Sequence, residues 1–166
     1  MKIVILILLM GLSVYVGYMM SLRYRKRVKF MKDLVRFCDE TKSNILFGQY
    51  KLIEIVDTIK PKCSKDFGKL LDLFEIYLKN SYNEKQLYQD ANKYLTYLSS
   101  SELQTIVGYL TRIGTVDVEG EINNCNNYRT VFMQYRDSAE SEDKKMSLMC
   151  IKLGALFGAL LVVIFI

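Results

Sequence analysis

Ile3–Leu22, IVILILLMGLSVYVGYMMSL, followed at once by Arg23-Tyr24-Arg25-Lys26-Arg27, decides how the rest of the chain is read. The run carries no charge. As a helix rising about 1.5 Å per residue it reaches about 30 Å, the thickness of a bilayer's hydrocarbon core. Water solvates that much hydrocarbon poorly, whereas a helix in lipid satisfies its own backbone. A cleaved secretory signal fits less well, since it places positive charge ahead of a short apolar core and closes on small residues. Here the core is long and the charge follows it. Lys and Arg beside a span resist translocation, so Arg23, Arg25, Lys26 and Arg27 predict a membrane-interface anchor on the cytoplasmic side.

The other end repeats the pattern. Met146–Ile166 is a second apolar run with Lys144 and Lys145 just ahead of it, which gives the same orientation. Lys152 lies near its start, where a long stem can carry the ammonium back to the headgroups. The expected organisation is therefore an N-terminal transmembrane helix at 1–22, a cytoplasmic helical bundle at 23–145 and a C-terminal transmembrane helix at 146–166. Ser13 and Gly17 in the first run, and Gly154 and Gly158 in the second, have the small-xxx-small spacing that lets helix backbones approach closely in lipid.

The middle reads as helices throughout. There is one proline in 166 residues and no sustained period-two alternation, so the fold class is all-α. Apolar positions continue at helical spacing from Val28 to Phe47, with Gly48 placed to end the helix. A short helix over Leu52–Ile59 is stopped by Pro61, and Lys62–Asp66 is a turn. A third helix runs from Phe67 past Leu78. Asn83 with Gln86 forms a capping box for a fourth, whose apolar side is Leu87, Ala91, Tyr94, Leu95 and Leu98. Ser99–Ser101 and Glu102 open a fifth, which buries Leu103, Ile106, Val107, Leu110 and Ile113 and ends at Gly114. Asp117 and Glu119 stand near the start of a last helix that runs through Cys125 and Phe132 into the second apolar run.

Charge and motif content exclude several functions. The net charge of +5 is concentrated in Arg23–Lys32, where topology or anionic lipid accounts for it better than nucleic acid does. The chain has no histidine, no Gly-rich phosphate loop and no nucleophile elbow. No catalytic residue, cofactor, metal site or small-molecule substrate is expected. Cys38, Cys63, Cys125 and Cys150 are scattered and read as structural thiols. The twelve tyrosines read as core-edge and interface residues. The alternative function is a lipid-binding or membrane-remodelling helical protein acting through its basic juxtamembrane segment.

The order of the parts carries a resemblance. The basic knot Leu22–Arg27 is followed by Gly48-Gln49-Tyr50-Lys51-Leu52-Ile53-Glu54-Ile55-Val56. Next comes the glycine-ended helix with an acidic restart, Ile113-Gly114-Thr115-Val116-Asp117-Val118-Glu119. The last parts are Lys145-Met146-Ser147-Leu148 and Leu153-Gly154-Ala155-Leu156-Phe157-Gly158-Ala159-Leu160. Over nearly its whole length the chain resembles the stage III sporulation protein AB family. It departs from the family pattern in having Gln49 and Tyr50 where a proline is usual, no tryptophan, and Glu121 in place of a glutamine. The resemblance implies a helical body similar to the type II secretion F-protein domain. It also implies a place in the channel complex linking mother cell and forespore, in the mother-cell-derived membrane around the forespore. The implied partners are the other stage III sporulation A proteins, including a cytoplasmic secretion-type ATPase, with membrane lipid and a possible homo-oligomer. The turns at Gly48 and Tyr50 and at Gly114, Asp117 and Glu119 are the candidate partner contacts.

Overall fold

The computed structural model describes the backbone of residues 2–47, 51–80 and 83–165; the side chains of residues 2–7, 9, 10, 80, 161, 162, 164 and 165 fall outside the description. The elements are α1 (Lys2–Phe47), α2 (Leu52–Ile59), α3 (Lys65–Asn80), α4 (Glu84–Tyr94), α5 (Ser100–Arg112), α6 (Val118–Glu142) and α7 (Leu148–Phe165). Among the described residues there is no strand, and the chain is all-α.

Packing divides the chain into two compact units. One is Lys29–Arg136, and the other joins Met1–Val28 with Asp137–Ile166. The first is built on aromatic rings. Phe67 of α3 meets Phe30 and Phe37 of α1 edge-on, at centroid distances of 5.3 and 5.9 Å. Tyr109 of α5 joins Phe37 at 6.3 Å and Phe132 of α6 at 5.4 Å. These edge-to-face pairs set positive ring edges against negative faces and add to the gain from burial. Tyr109 is fully buried, not at the core edge as expected of the tyrosines, and its hydroxyl lies 3.6 Å from the Cys125 sulfur. Cys38 and Cys125 are buried, and burial pushes the Cys38 thiol up to about 12.

The chain's local signals set the helix ends. Asn83 accepts from the Lys85 amide at 3.2 Å while its own amide donates to Gln86 Oε1 at 3.4 Å, closing the capping box of α4. Ser99 and Glu102 do the same for α5 at 3.2 and 2.8 Å. Such caps satisfy amides that have no intrahelical acceptor. Leu103, Ile106, Val107, Leu110 and Ile113 are all buried.

Three local expectations need correction. Pro61 does not simply stop α2: Lys60–Lys62 continues it as one turn of 3-10 helix, closed by the Cys63 amide donating to the Lys60 carbonyl at 3.3 Å. The turn is shorter than expected, since α3 begins at Lys65. The buried carboxylate of Asp33 on α1 accepts from the Ser64 amide at 2.7 Å and holds that start in place. Tyr94, expected on the buried side of α4, is 54% exposed. The helix ends there, and Leu95 has already left helical geometry with ψ at 45°.

In the unit formed by Met1–Val28 and Asp137–Ile166, Ser21, Ala139 and Ser147 are all buried. A five-residue π-helical turn, Asp143–Ser147, separates α6 from α7. Among the described residues no helix is long and apolar enough to cross a membrane. The expected spans draw on residues 3–7, 9, 10, 161, 162 and 164–166, which lie outside the described side chains.

Candidate functional site

Small residues decide the contact between α1 and α7. Ser13 Oγ donates to the Gly154 carbonyl at 2.8 Å, 141 positions along the chain. A Cβ added to Gly17 would lie 2.6 Å from the Cys150 carbonyl oxygen and 3.4 Å from the Gly154 Cα. One added to Gly154 would lie 2.8 Å from the Ser13 carbonyl oxygen and 3.4 Å from the Cα atoms of Gly17 and Val14. The opposing atoms are backbone, so they cannot turn aside, and only glycine admits this approach. Gly158 is buried one turn further on. Outside the contact the same helices expose Leu8, Leu12, Tyr15, Val16, Leu156, Phe157, Leu160 and Val163.

The basic residues divide. Arg23, Arg25, Lys26, Lys144 and Lys145 are exposed. Arg27 is half-buried and forms an ion pair with Glu142, which locks α1 to the end of α6 within this unit.

In the unit Lys29–Arg136, the predicted contact residues Gly48 and Tyr50 lie outside the described residues. Gly114, Asp117 and Glu119 are exposed at the α5–α6 corner. Gly114 sits at φ +80°, a left-handed geometry that glycine enters without a Cβ penalty. Asp117 Oδ1 accepts from the Gly120 amide at 3.3 Å, and the Asp117 carbonyl accepts from the Glu121 amide at 2.8 Å, so this residue opens α6.

Sequence reasoning noted Glu121 only as a departure from a family glutamine and gave it no role. It is 3% exposed, its Oε2 accepts from the Gly114 amide at 3.1 Å, and Oε1 has no hydrogen-bond partner. Burial pushes the carboxyl above its usual range, against the Gly114 amide and Asn124, which favour the anion. A small cavity of about 180 Å³ opens beside it, walled by Ile45, Leu52, Ile55, Ile113, Val116 and Val118. The one signal was spacing: a glutamate seven residues after a left-handed glycine can fold back onto that glycine's amide.

Among the described residues no group of three or more His, Cys, Asp or Glu side chains is placed to hold a metal ion. What the geometry defines is an all-α protein with an aromatic-cored bundle and a separate close-packed helix pair. The family model of stage III sporulation protein AB matches residues 2–166, and the chain belongs to that family. A role in sporulation follows. No curated protein and no solved structure matches the chain.

Proposed function

We propose that the chain is a non-enzymatic membrane platform of the sporulation channel complex linking mother cell and forespore. In this reading α1 and α7 cross the membrane side by side, as a multi-pass anchor in the mother-cell-derived membrane around the forespore. The body Lys29–Arg136 stands in the cytoplasm and couples a secretion-type ATPase and the other stage III sporulation A proteins to the channel. The observation that carries it is the Ser13/Gly17–Cys150/Gly154 contact, bordered by exposed Leu, Val, Phe and Tyr. In water such side chains would collapse on one another; in lipid they are solvated, and small residues are what bring two helices together. The uncharged run Ile3–Leu22 and the basic knot behind it support the same orientation.

Alkaline extraction of membranes from sporulating cells, with cysteine labelling, tests the anchor. Cys38 and Cys125 are buried and would report nothing, so the probe is an added thiol at exposed Ser43 (Ser43→Cys) in a Cys63→Ser background. The protein should stay in the alkali-washed pellet, and the new thiol should react with an impermeant maleimide only after permeabilisation. Release by alkali, or labelling in intact cells, refutes the reading.

A further inference from the structure

We infer that Lys144, Lys145 and Lys152 form a seat for the headgroup phosphate of one anionic phospholipid, on the side of α7 turned away from α1. The inference rests on the reading that α7 enters the membrane. Cys150 and Gly154 meet Gly17 of α1, and Lys152 stands two positions from each. At about 100° per residue it lies about 160° around the helix from both, facing away from α1. Leu148, Met149, Leu153 and Leu156 are exposed around it. The wider closure of the π turn brings Asp143 and Ser147 to one side, where Asp143 Oδ1 and Ser147 are buried. Lys144 and Lys145, between them, are exposed. Glu142 is drawn to α1 by its ion pair with Arg27. The two carboxylates at this end therefore face inward and the three lysines outward. Among the described residues none of these lysines has an ion pair.

Charge alone would orient the chain wherever the lysines stood; their placement is what specifies a seat. Lys152 lies seven positions beyond Lys145, about 10 Å deeper. Helical Cα–Cβ bonds tilt toward the N-terminus, which for α7 is the Lys145 end, so the Lys152 stem carries its ammonium back toward the other two. An ammonium left in hydrocarbon is costly, and a phosphate drawn to meet it relieves that. A phospholipid answers both halves of the face, with an anion for the lysines and acyl chains for Leu153 and Leu156. A water-soluble acidic segment would answer the lysines and not the leucines.

Dioctanoyl phosphatidylglycerol is titrated into isotope-labelled full-length protein in a maltoside detergent, with the Leu148, Met149 and Leu153 methyl resonances as readout. Dioctanoyl phosphatidylcholine and glycerol 3-phosphate control for the chains and for free phosphate. Saturable shifts are expected with phosphatidylglycerol and several-fold weaker ones with either control. Lys152→Gln should weaken binding about five-fold, the effect of one basic residue at an anionic surface, and Lys152→Arg should restore it. Lys144→Gln with Lys145→Gln should weaken it about twenty-five-fold. Arg23→Gln with Lys26→Gln removes the same charge from exposed positions of α1 that lie about 120° and 180° round from Gly17, and should leave binding nearly unchanged. Equal binding of either control, or an Arg23/Lys26 variant as weak as the Lys144/Lys145 one, overturns the inference. In sporulating cells a photo-crosslinker at Leu148 should yield a phospholipid adduct; capture of a protein through an acidic residue overturns the lipid as occupant. Release of the native chain by alkali refutes the membrane reading itself, whereas an intact anchor with no preference for phosphatidylglycerol refutes the seat alone.

Discussion

Replacing Gly17 by alanine adds one carbon where there is no room for it. The new Cβ would stand 2.6 Å from the Cys150 carbonyl oxygen, and reaching ordinary contact at 3.4 Å requires α1 and α7 to separate by about 0.8 Å. Overpacking of this kind costs about 1–3 kcal/mol. Alanine also gains about 1 kcal/mol over glycine as a helix former, which hides part of the clash. Gly11 supplies the control, since it lies on the same helix and an added Cβ there meets nothing within 4 Å. The propensity gain is common to both, so Gly17→Ala should fall about 1–3 kcal/mol below Gly11→Ala. Gly154→Ala, with its clash at 2.8 Å against the Ser13 carbonyl, should behave alike. Ser13→Ala loses one hydrogen bond and about 0.6 kcal/mol. The chain has no tryptophan, so Phe157→Trp gives a single local reporter for unfolding by SDS of the full-length protein in mild detergent. Midpoints for Gly17→Ala and Gly154→Ala that match Gly11→Ala would refute the contact.

In the aromatic core, Phe67→Ala removes a fully buried ring touching both Phe30 and Phe37, and should cost about 3–5 kcal/mol. That is a large share of a typical domain's stability, and urea unfolding measures it. Glu121 predicts a pH dependence. Its folded pKa is raised above the usual 4.5 by burial, so its contribution is fully present below the unfolded pKa and is lost as pH rises through the folded one. Between pH 4 and 7 the urea midpoint of the native protein should therefore fall relative to Glu121→Gln; parallel profiles would contradict this. Iodoacetamide at pH 8 should leave Cys38 and Cys125 unmodified until the protein is unfolded. Half-exposed Cys63, its thiol held up at about 11 by burial, should react slowly, as mass spectrometry of the peptides can follow.

Much of the bundle was legible because its punctuation is local. Asn83 with Gln86 and Ser99 with Glu102 each mark a helix start through bonds made within three residues, and Gly114 marks an end by its own left-handed backbone, so local sequence reveals all three. The stripe Leu103–Ile113 was legible for the same reason: helical period fixes a face. Long-range polar contacts were not. Asp33 holds the Ser64 amide from 31 positions away, and nothing in the neighbourhood of either residue announces the other. Glu121 was read past because a glutamate in a first helical turn ordinarily faces water, and only the fold over Gly114 buries it. Tyr109 looked like its fellow tyrosines in composition; four helices' worth of rings had to converge before its burial became evident. The small residues at 13, 17, 154 and 158 were visible as a pattern, but which of them meet, and through which atoms, belongs to three dimensions.

The wide turn at Asp143–Ser147 sets the angular phase of everything after it. From buried Ala139 to buried Ser147 is eight positions, which in a regular α-helix leaves them about 80° apart around the axis. Taking up one surplus residue in the π turn brings that offset back to about 20°. Ala139, Ser147 and Gly154 then share a side that an unbroken α-helix would splay. It follows that removing a single residue between Asp143 and Met146 would tighten the turn to an ordinary α-helix and leave Gly154 aimed as before, whereas removing one from the part of α7 ahead of Gly154 would swing the glycine away by about 100°. The segment is a built-in allowance for length, where one residue can be lost without re-aiming the helix that follows.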